Sequence, residues 1–259
     1  MSRILSSSQI YTLLQFYKDI GMDSFLFSKP QIRKNKADDT IKKKRGTILN
    51  NLQGGEKEIP IMIQEIRHLL KNIQTLAELR ETVERFDALD IRKGANKTVF
   101  GKGNPESEVM LIGEAPGAEE DKEGVPFCGR SGQLLENILA TIGLNKNKYY
   151  ITNTIFWRPP ANRKPTKHEI EVCLPFVEKH IALVKPKIII LVGSTAAESL
   201  LRVNSPMNSL RQRVFTYKNK YLATAIETFV IFHPSYLLRQ PRQKKMMFYD
   251  IMKINESLQ

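Results

Sequence analysis

Short runs of apolar residues that alternate with helix-like stretches constrain the fold of this chain more than any other feature. Such runs occupy residues 109–112, 187–192 and 229–232. A short, continuous apolar run is typical of a strand that is buried on both faces of a parallel sheet. Its alternation with helical spacing predicts an α/β fold, namely a three-layer α/β/α sandwich around a central, mostly parallel sheet.

Spacing and capping signals predict the elements between these strands. Apolar residues at helical spacing indicate helices at 131–142 and 194–201. Thr166 and Glu169 have the spacing of a capping box, so we expect a further helix from Thr166 to residue 184. The remaining predicted elements are a strand at 149–156, a hairpin of 214–217 with 221–225 around Asn219, and a closing helix at 243–255.

The main domain is predicted to comprise residues 99–259, and the sequence before residue 99 predicts an extension of it. Residues 1–28 contain an N-terminal helical segment, with its apolar pattern at 7–20, and residues 29–59 are polar and basic, as in a flexible linker. Residues 60–98 would lead into the domain. They begin with Pro60 and an apolar stripe that predicts one long helix reaching residue 79.

The chain is strongly basic, with 40 Lys and Arg against 27 Asp and Glu, and its net charge is +13. Between residues 202 and 245, nine basic residues accompany a single acidic residue. Lys and Arg gain free energy when they release counterions from phosphates. The charge and its concentration in one segment therefore favour a nucleic-acid partner over a merely solvated face.

Composition also limits the remaining classes of protein. The two cysteines, Cys128 and Cys173, are too few for a disulfide framework or for a zinc site of their own. No apolar run approaches the roughly 20 residues that a membrane span needs. The start of the chain does not resemble a secretory signal, so we expect a cytoplasmic protein with no membrane partner.

The first predicted strand leads into a tight, acidic loop. Gly113, Pro116 and Gly117 allow a close turn at the edge where open α/β sheets bind their ligands. Three carboxylates follow at 119–121. On this loop alone two interpretations stay open, an acidic helix start that the helix dipole favours and a ligand site.

Polar residues at other strands belong to the same edge. The amide of Asn153 presents a donor and an acceptor side by side, which suits the edge of a nucleobase. A rigid, basic loop follows at 158–163. His233 comes directly after the last strand and is followed by Pro234 and Ser235 in the basic segment, which favours a functional histidine over a structural one.

Five motifs, GEAPGAEED, GVPFCG, ITN, RPPANR and HPSYLLR, occur in this order and resemble those of the family-4 uracil-DNA glycosylases. The resemblance covers about residues 99 to 253. It implies the glycosylase fold and a monofunctional hydrolase that removes uracil from DNA in base-excision repair. The implied partner is uracil-containing DNA, single- or double-stranded, and the implied setting is a monomer near the nucleoid in a bacterial cytoplasm.

The resemblance also implies a mechanism in which the base is extruded into a snug pocket. There Phe127 would stack on uracil, Asn153 would read its edge, and His233 would donate a hydrogen bond to the charge that develops on O2. The carboxylates and Asn162 would stabilise the sugar and orient water. Because Ala115 stands where related enzymes with a GQDPY loop carry Asp, the group that positions the water stays open.

The family pattern assigns roles to individual residues. Gly117 stands where the GQDPY enzymes carry a thymine-excluding Tyr, so we expect Glu120 to supply this steric block. The implied catalytic residues are Glu114, Glu120, Asn162 and His233. The implied uracil-binding residues are Ala115, Phe127, Asn153 and His233. The implied DNA-binding residues are Pro116, Arg158, Arg163, Ser235, Leu237, Leu238 and Arg239, with Leu237 or Leu238 as the wedge that enters the vacated stack.

One departure from the family concerns its [4Fe-4S] cluster, which is usually held by four cysteines. Only Cys173 matches a ligand position, and the other three positions carry Phe86, Leu89 and Trp157. One thiolate cannot hold a cluster, so we expect no cofactor and a small hydrophobic core in its place. In this the chain resembles cluster-less alphaproteobacterial members of the family.

The sequence also bears on three other functions. A DNA-binding protein with this fold but weak catalysis is less favoured, because the positions of Glu120, Asn153 and His233 are intact. A glycosylase for another deaminated base stays open, although Asn153 favours uracil. A small-nucleotide hydrolase lacks support, since the chain carries no Walker lysine.

Overall fold

The computed structural model describes residues 58–259. The predicted helical segment at 1–28 and all but the end of the predicted linker at 29–59 lie outside the described residues. No helix in the described part is long and apolar enough to cross a membrane.

Six strands form one sheet in the order β1-β3-β2-β4-β6-β5. The four inner strands run parallel, and β1 and β5 pair antiparallel at the two edges. The strands are β1 Lys102–Gly103, β2 Val109–Gly113, β3 Tyr150–Asn153, β4 Ile188–Val192, β5 Phe215–Tyr217 and β6 Ile226–Ile231.

Helices cover both faces of this sheet. In the described part the α-helices are α1 Glu58–Leu69, α2 Leu76–Arg85, α3 Asp90–Gly94, α4 Ala118–Glu123, α5 Arg130–Ala140, α6 Lys167–Val184, α7 Ser194–Leu201, α8 Met207–Arg211, α9 Pro234–Arg239 and α10 Lys244–Ser257. Short 3-10 turns occupy Leu70–Asn72, Pro160–Asn162 and Pro241–Gln243.

Alternation along the strands divides the interior into two apolar layers. On β2, Met110 and Ile112 join the layer that contains residues of α1, α2, α6 and α7. Val109 and Leu111 face the opposite layer, which contains residues of α5, α9 and α10. The predicted three-layer α/β/α sandwich with a mostly parallel sheet is confirmed.

The predicted helix that begins at residue 60 and reaches residue 79 is wrong, because two helices with a break share that stretch. α1 ends at Leu69, and α2 starts after Thr75. The hydroxyl of Thr75 accepts from the backbone N–H of Glu78 at 3.2 Å, and a carboxylate oxygen of Glu78 accepts from the N–H of Thr75 at 3.0 Å. This capping box starts a new helix inside an apolar stripe that looks continuous in sequence.

The predicted hairpin of 214–217 with 221–225 is also wrong, since β5 pairs with β6 instead, with Tyr217 opposite Ile226. Between β5 and β6, Asn219 forms a turn in which its side-chain oxygen accepts from the N–H of Tyr221 at 2.9 Å. The strand predicted at 149–156 is likewise shorter and ends at Asn153.

Candidate active site at the carboxyl edge of the sheet

A cleft of about 960 Å³ opens where β2, β3, β4 and β6 end. Because these strands are parallel, the loops that follow them meet at one edge of the sheet. Eleven of the residues to which the resemblance assigns roles line this cleft: Glu114, Ala115, Pro116, Glu120, Phe127, Asn153, Asn162, Arg163, His233, Ser235 and Arg239.

Phe127 and Asn153 meet across Gly113, the last residue of β2. A Cβ atom at Gly113 would lie 2.5 Å from the Phe127 ring and 2.5 Å from Oδ1 of Asn153. Only a glycine leaves room for both side chains at this point. The ring of His233 lies beyond, with its centroid 5.9 Å from that of Phe127. The three side chains therefore form a compact group at the base of the cleft.

Asn153 ends β3 and lies opposite Gly113 in the parallel register. Its side chain lines the cleft although the residue is only 1% exposed. Within residues 58–259 its amide has no hydrogen-bond partner. Its donor and acceptor are therefore available to the polar edge of a ligand in the cleft.

His233 follows β6 and caps the N-terminus of α9. Its Nδ1 accepts the backbone N–H of Ser235 at 3.2 Å and lies 2.8 Å from the Ser235 hydroxyl oxygen. Since Nδ1 accepts, the proton of the neutral ring lies on Nε2. Burial lowers the pKa of His233, while the negative charge of Glu114 opposes this shift. The ring is therefore neutral near pH 7 and keeps an Nε2–H donor.

Glu114 is the first residue after β2. Its backbone oxygen accepts from the Thr154 hydroxyl at 2.5 Å, and its carboxylate accepts from the Thr195 hydroxyl, also at 2.5 Å. The two threonines follow β3 and β4, the strands on either side of β2. Glu114 is thus held from both sides at the wall of the cleft.

Glu120 lines the cleft, and both of its carboxylate oxygens accept hydrogen bonds from the backbone. One carboxylate oxygen accepts from the N–H groups of Cys128 and Gly129, both at 3.2 Å, and the other accepts from that of Gly117 at 3.1 Å. These bonds join the loop after β2 to the loop that carries Phe127. Phe127 has a φ of 51°, which is uncommon for a bulky residue, and the joined loops hold it there.

The two arginines of the basic loop after β3 form hydrogen bonds within the protein. Arg158 donates from Nε to Oδ1 of Asn162 at 2.8 Å. Arg163 forms two hydrogen bonds with Glu169, of 2.6 and 2.8 Å, at the start of α6. The Arg163 guanidinium lowers the pKa of Glu169, with burial opposing. Arg163 therefore anchors this loop to α6 at the rim of the cleft, while Arg158 orients Asn162.

The two leucines of the last motif separate in the structure. Leu237 is fully buried among the residues that pack under α9, whereas Leu238 is 40% exposed. The suggestion that Leu237 could enter the DNA stack is therefore wrong for this geometry, because the helix turns it into the core. Ser235 and Arg239 line the cleft on the same short helix.

Sequence reasoning missed several residues that line the cleft. Gly193 and Ser194 follow β4, and a Cβ atom at Gly193, whose φ is 98°, would lie 3.2 Å from Cβ of His233. The rule that selected the ends of the other parallel strands applies equally to β4 and could have found them. Pro206, Met207 and Asn208 also line the cleft, and nothing in their local pattern signalled it.

The residues at the family's cluster positions form packed core instead of a metal site. Phe86 stacks on Trp157 with ring centroids 6.1 Å apart, and Leu89 and Cys173 belong to the same apolar cluster. Burial raises the pKa of the Cys173 thiol. The described part of the chain contains no group of three or more His, Cys, Asp or Glu that could hold a metal ion. One buried thiol and the side chains of Phe, Leu and Trp do not fit an iron–sulfur cluster, because none of the three offers a thiolate.

Known proteins with similar sequences identify the family of this chain. The family model of the uracil DNA glycosylase superfamily matches residues 100–258. A type-4 uracil-DNA glycosylase of Pyrobaculum aerophilum is 34% identical over 64% of this chain and 86% of its own length. Those of Saccharolobus solfataricus and Thermotoga maritima are 35% and 33% identical over 73% and 67% of this chain and 88% and 89% of their own lengths. The motif order, the cleft and these similarities lead to one conclusion: the chain belongs to the uracil DNA glycosylase superfamily, among its type-4 members.

Proposed function

We propose that this protein is a monofunctional uracil-DNA glycosylase that hydrolyses the N-glycosidic bond of deoxyuridine in DNA and leaves an abasic site for base-excision repair. The observation that carries this proposal is the group of Phe127, Asn153 and His233 at the base of the cleft. It combines an aromatic face, a free amide and a neutral imidazole donor at one point of the cleft.

The proposed reaction begins when the nucleotide turns out of the stack and uracil enters the cleft. Uracil stacks on Phe127, and the amide of Asn153 donates to O4 and accepts from N3–H. As the bond between N1 and the sugar breaks, its electron pair passes to the base. The Nε2–H of His233 then stabilises the charge on O2.

The sugar side of the reaction needs negative charge and water. The carboxylate of Glu114 lies at the wall of the cleft, where it would stabilise the positive charge of the sugar and orient the water that bonds to C1′. The water gives up one proton, and the uracil anion later takes one from solvent. Asn162, which Arg158 orients, is a second candidate for holding that water.

Glu120 contributes by fixing the loops rather than by reaching the reacting atoms. Both of its carboxylate oxygens accept backbone N–H groups, and these bonds surround the segment that carries Phe127. We assign to Glu120 the task of holding the aromatic ring of Phe127 in position. A Cβ atom at Gly117 would lie 2.7 Å from Oε2 of Glu120, so the Glu120 side chain also fills the space beside Gly117.

DNA would reach the cleft along its basic rim. Arg239 and Ser235 stand on α9 beside His233, and Pro116 and Arg163 lie on the walls. The exposed Leu238 is the candidate for the side chain that fills the vacated stack. The proposal places the protein on bacterial chromosomal DNA as a cytoplasmic monomer.

The proposal also includes the division of the chain into an N-terminal extension and a catalytic domain. Residues 1–28 and 29–59 would form a helical segment and a linker, and residues 99–259 would carry the reaction. Residues 60–98 would lead into that domain. In support, Ile66, Leu79 and Val83 of α1 and α2 belong to the apolar layer that also contains residues of α6.

A matched pair of oligonucleotides, with a single uracil or thymine in the same context, tests the proposed activity. Incubation followed by alkali should cleave the uracil strand alone. Asn153→Asp should weaken the reaction, because a carboxylate cannot donate to O4; a good bidentate base contact is worth roughly 1–3 kcal/mol. Asn145→Asp, in the exposed turn at the opposite edge of the sheet, serves as the control. Intact uracil strands with the purified wild-type protein would refute the proposal.

We also propose that the enzyme works without an iron–sulfur cluster. The support is the packed core formed by Phe86, Leu89, Trp157 and Cys173. Metal analysis of protein purified without oxygen should find no iron, and the protein should be colourless. Iron at four atoms per chain, together with the visible absorbance of a cluster, would overturn this part.

A further inference from the structure

The first turn of α7, directly after β4, contains a buried hydroxyl that points to a specific task. Thr195 is the second residue of α7 and is 7% exposed. Its hydroxyl donates to the carboxylate of Glu114 at 2.5 Å, across 81 positions of sequence. The motifs that identify the rest of the cleft do not include this residue.

The strand order explains why this contact exists. β2 lies between β3 and β4, so the first residue beyond β2 has neighbours from both. From the β3 side, Thr154 donates to the backbone oxygen of Glu114 at 2.5 Å. From the β4 side, Thr195 donates to the side chain. One threonine therefore fixes the main chain of Glu114, and the other fixes its carboxylate.

The hydroxyl of Thr195 is not used to stabilise its own helix. The start of α7 has no side-chain capping hydrogen bond, and its N-cap is Gly193. The neighbouring helical contact is made by Ser199, whose hydroxyl donates to the backbone oxygen of Thr195 at 2.5 Å. The Thr195 hydroxyl is thus directed outward from the helix to Glu114 alone.

The orientation of Glu114 matters because a glutamate side chain has several rotamers of similar free energy. Among the described residues, no other hydrogen bond to its carboxylate is found. Without the hydroxyl, the carboxylate would be free to turn away from the cleft. A displacement of about 1 Å at a reacting group is enough to cost on the order of 10²-fold in rate.

We propose that Thr195 is a positioning residue for hydrolysis: its hydroxyl holds the carboxylate of Glu114 in the orientation from which it acts on the sugar and the water. This inference rests on the role proposed above for Glu114. Thr195 itself does not touch the substrate.

The test uses single-turnover cleavage of a uracil oligonucleotide, with its affinity and a melting curve measured on the same proteins. Thr195→Val removes the hydroxyl and keeps the shape. It should slow the chemical step about 10- to 100-fold and leave DNA affinity and melting temperature close to wild type. Thr195→Ser retains the donor and should recover most of the rate. Ser199→Ala removes another buried hydroxyl from α7 and should react like wild type.

A double-mutant cycle with Glu114→Gln shows whether the effect passes through Glu114. In that background Thr195→Val should slow the reaction little further. A loss as large as in the wild-type background would overturn the proposal, as would a normal rate for Thr195→Val alone. If Thr195→Val lowers the melting temperature strongly, Thr195→Ala supplies the same comparison with a smaller side chain.

The same experiment separates this inference from the proposed role of Glu114. If Glu114→Gln cleaves slowly and Thr195→Val cleaves at the wild-type rate, the role of Glu114 stands and Thr195 has no part in it. If Glu114→Gln cleaves at the wild-type rate, neither Glu114 nor Thr195 has the proposed role. Failure of the wild-type protein to cleave uracil would instead contradict the proposed function.

Discussion

The hydrogen bonds around His233 define what its ring can do. Nδ1 accepts from the backbone of Ser235, and burial lowers the pKa of the ring, so a neutral imidazole presents Nε2–H to the cleft. A neutral donor is sufficient for an anionic leaving group, since it stabilises the charge on O2 without having to transfer its proton.

His233→Gln should therefore slow the chemical step by roughly 10²–10³, because a donor fixed for the developing charge is removed. Single-turnover rates on a uracil oligonucleotide measure this, and DNA affinity should change little. His168→Gln, in the first turn of α6, is the matched control. A variant that loses thermal stability and affinity together with rate would instead assign His233 a structural role.

Single residues were the easiest part of the site to predict from sequence. Asn153 and His233 are polar residues at the ends of predicted strands, and parallel strands bring such ends together. What they contact could not be predicted. The commitment of Glu120 to three N–H groups and the opposite burial of Leu237 and Leu238 depend on how two loops and a short helix turn in space.

At the scale of elements, the break between α1 and α2 shows what a capping box contributes. Thr75 and Glu78 satisfy one another's backbone N–H groups, and α2 then packs Leu79 and Val83 into the core. Such a cap stabilises a helix by about 1 kcal/mol.

Thr75→Ala should lower the free energy of unfolding by about 1 kcal/mol, because the first turn of α2 loses the acceptor for the N–H of Glu78. Thr75→Ser keeps that acceptor and should lose far less. Urea unfolding of the three proteins provides the measurement. Equal stabilities for wild type and Thr75→Ala would mean that tertiary contacts alone place the start of α2.

Elements with a repeating pattern were predictable, and those that depend on pairing were not. The predicted helices at 131–142 and 194–201 are confirmed as α5 and α7, within one or two residues at each end. β5 could not be paired correctly because its partner is β6, which also pairs with β4, and no local pattern specifies this pairing. The local signal of Asn219 suggests a hairpin but specifies only the turn.

At the scale of the whole molecule, the buried layer around α6 makes stability depend on pH. His180 stacks on Phe100 at a centroid distance of 4.3 Å, and its Nε2 lies 3.0 Å from the hydroxyl of Tyr150. Burial, with a smaller effect of the Arg80 charge, lowers its pKa to about 3. The unfolded chain takes up a proton there near pH 6.5, which the folded protein does not.

The free energy of unfolding should therefore fall as pH decreases from about 6.5 to about 3, with at most about 5 kcal/mol due to His180. His180→Gln removes this titration and should flatten the dependence. Unfolding by urea at several pH values measures it, and His68→Gln on the exposed side of α1 should keep the wild-type profile. An unchanged slope in His180→Gln would assign the acid sensitivity to the carboxylates.

The basic charge of the molecule should show in the salt dependence of DNA binding. Replacing Arg239, Arg242 and Lys245 by Gln should reduce the slope of log affinity against log salt by about 0.9 for each phosphate that the protein no longer neutralises. All three are exposed and follow His233. Replacing Lys146, Lys148 and Lys185 by Gln, at the opposite edge of the sheet, keeps the net charge matched and should leave the slope unchanged. Equal effects of the two triple variants would place the DNA elsewhere.

The short edge strands of the sheet affect how readily the protein aggregates at high concentration. β1 has two residues and β5 has three, and each pairs antiparallel with the longer strand beside it. Amyloid-like stacking draws on segments of about six or seven residues that present an open row of backbone donors and acceptors. Neither edge strand of the sheet in the described residues is that long. The apolar inner strands are therefore protected from pairing with strands of another copy of the chain.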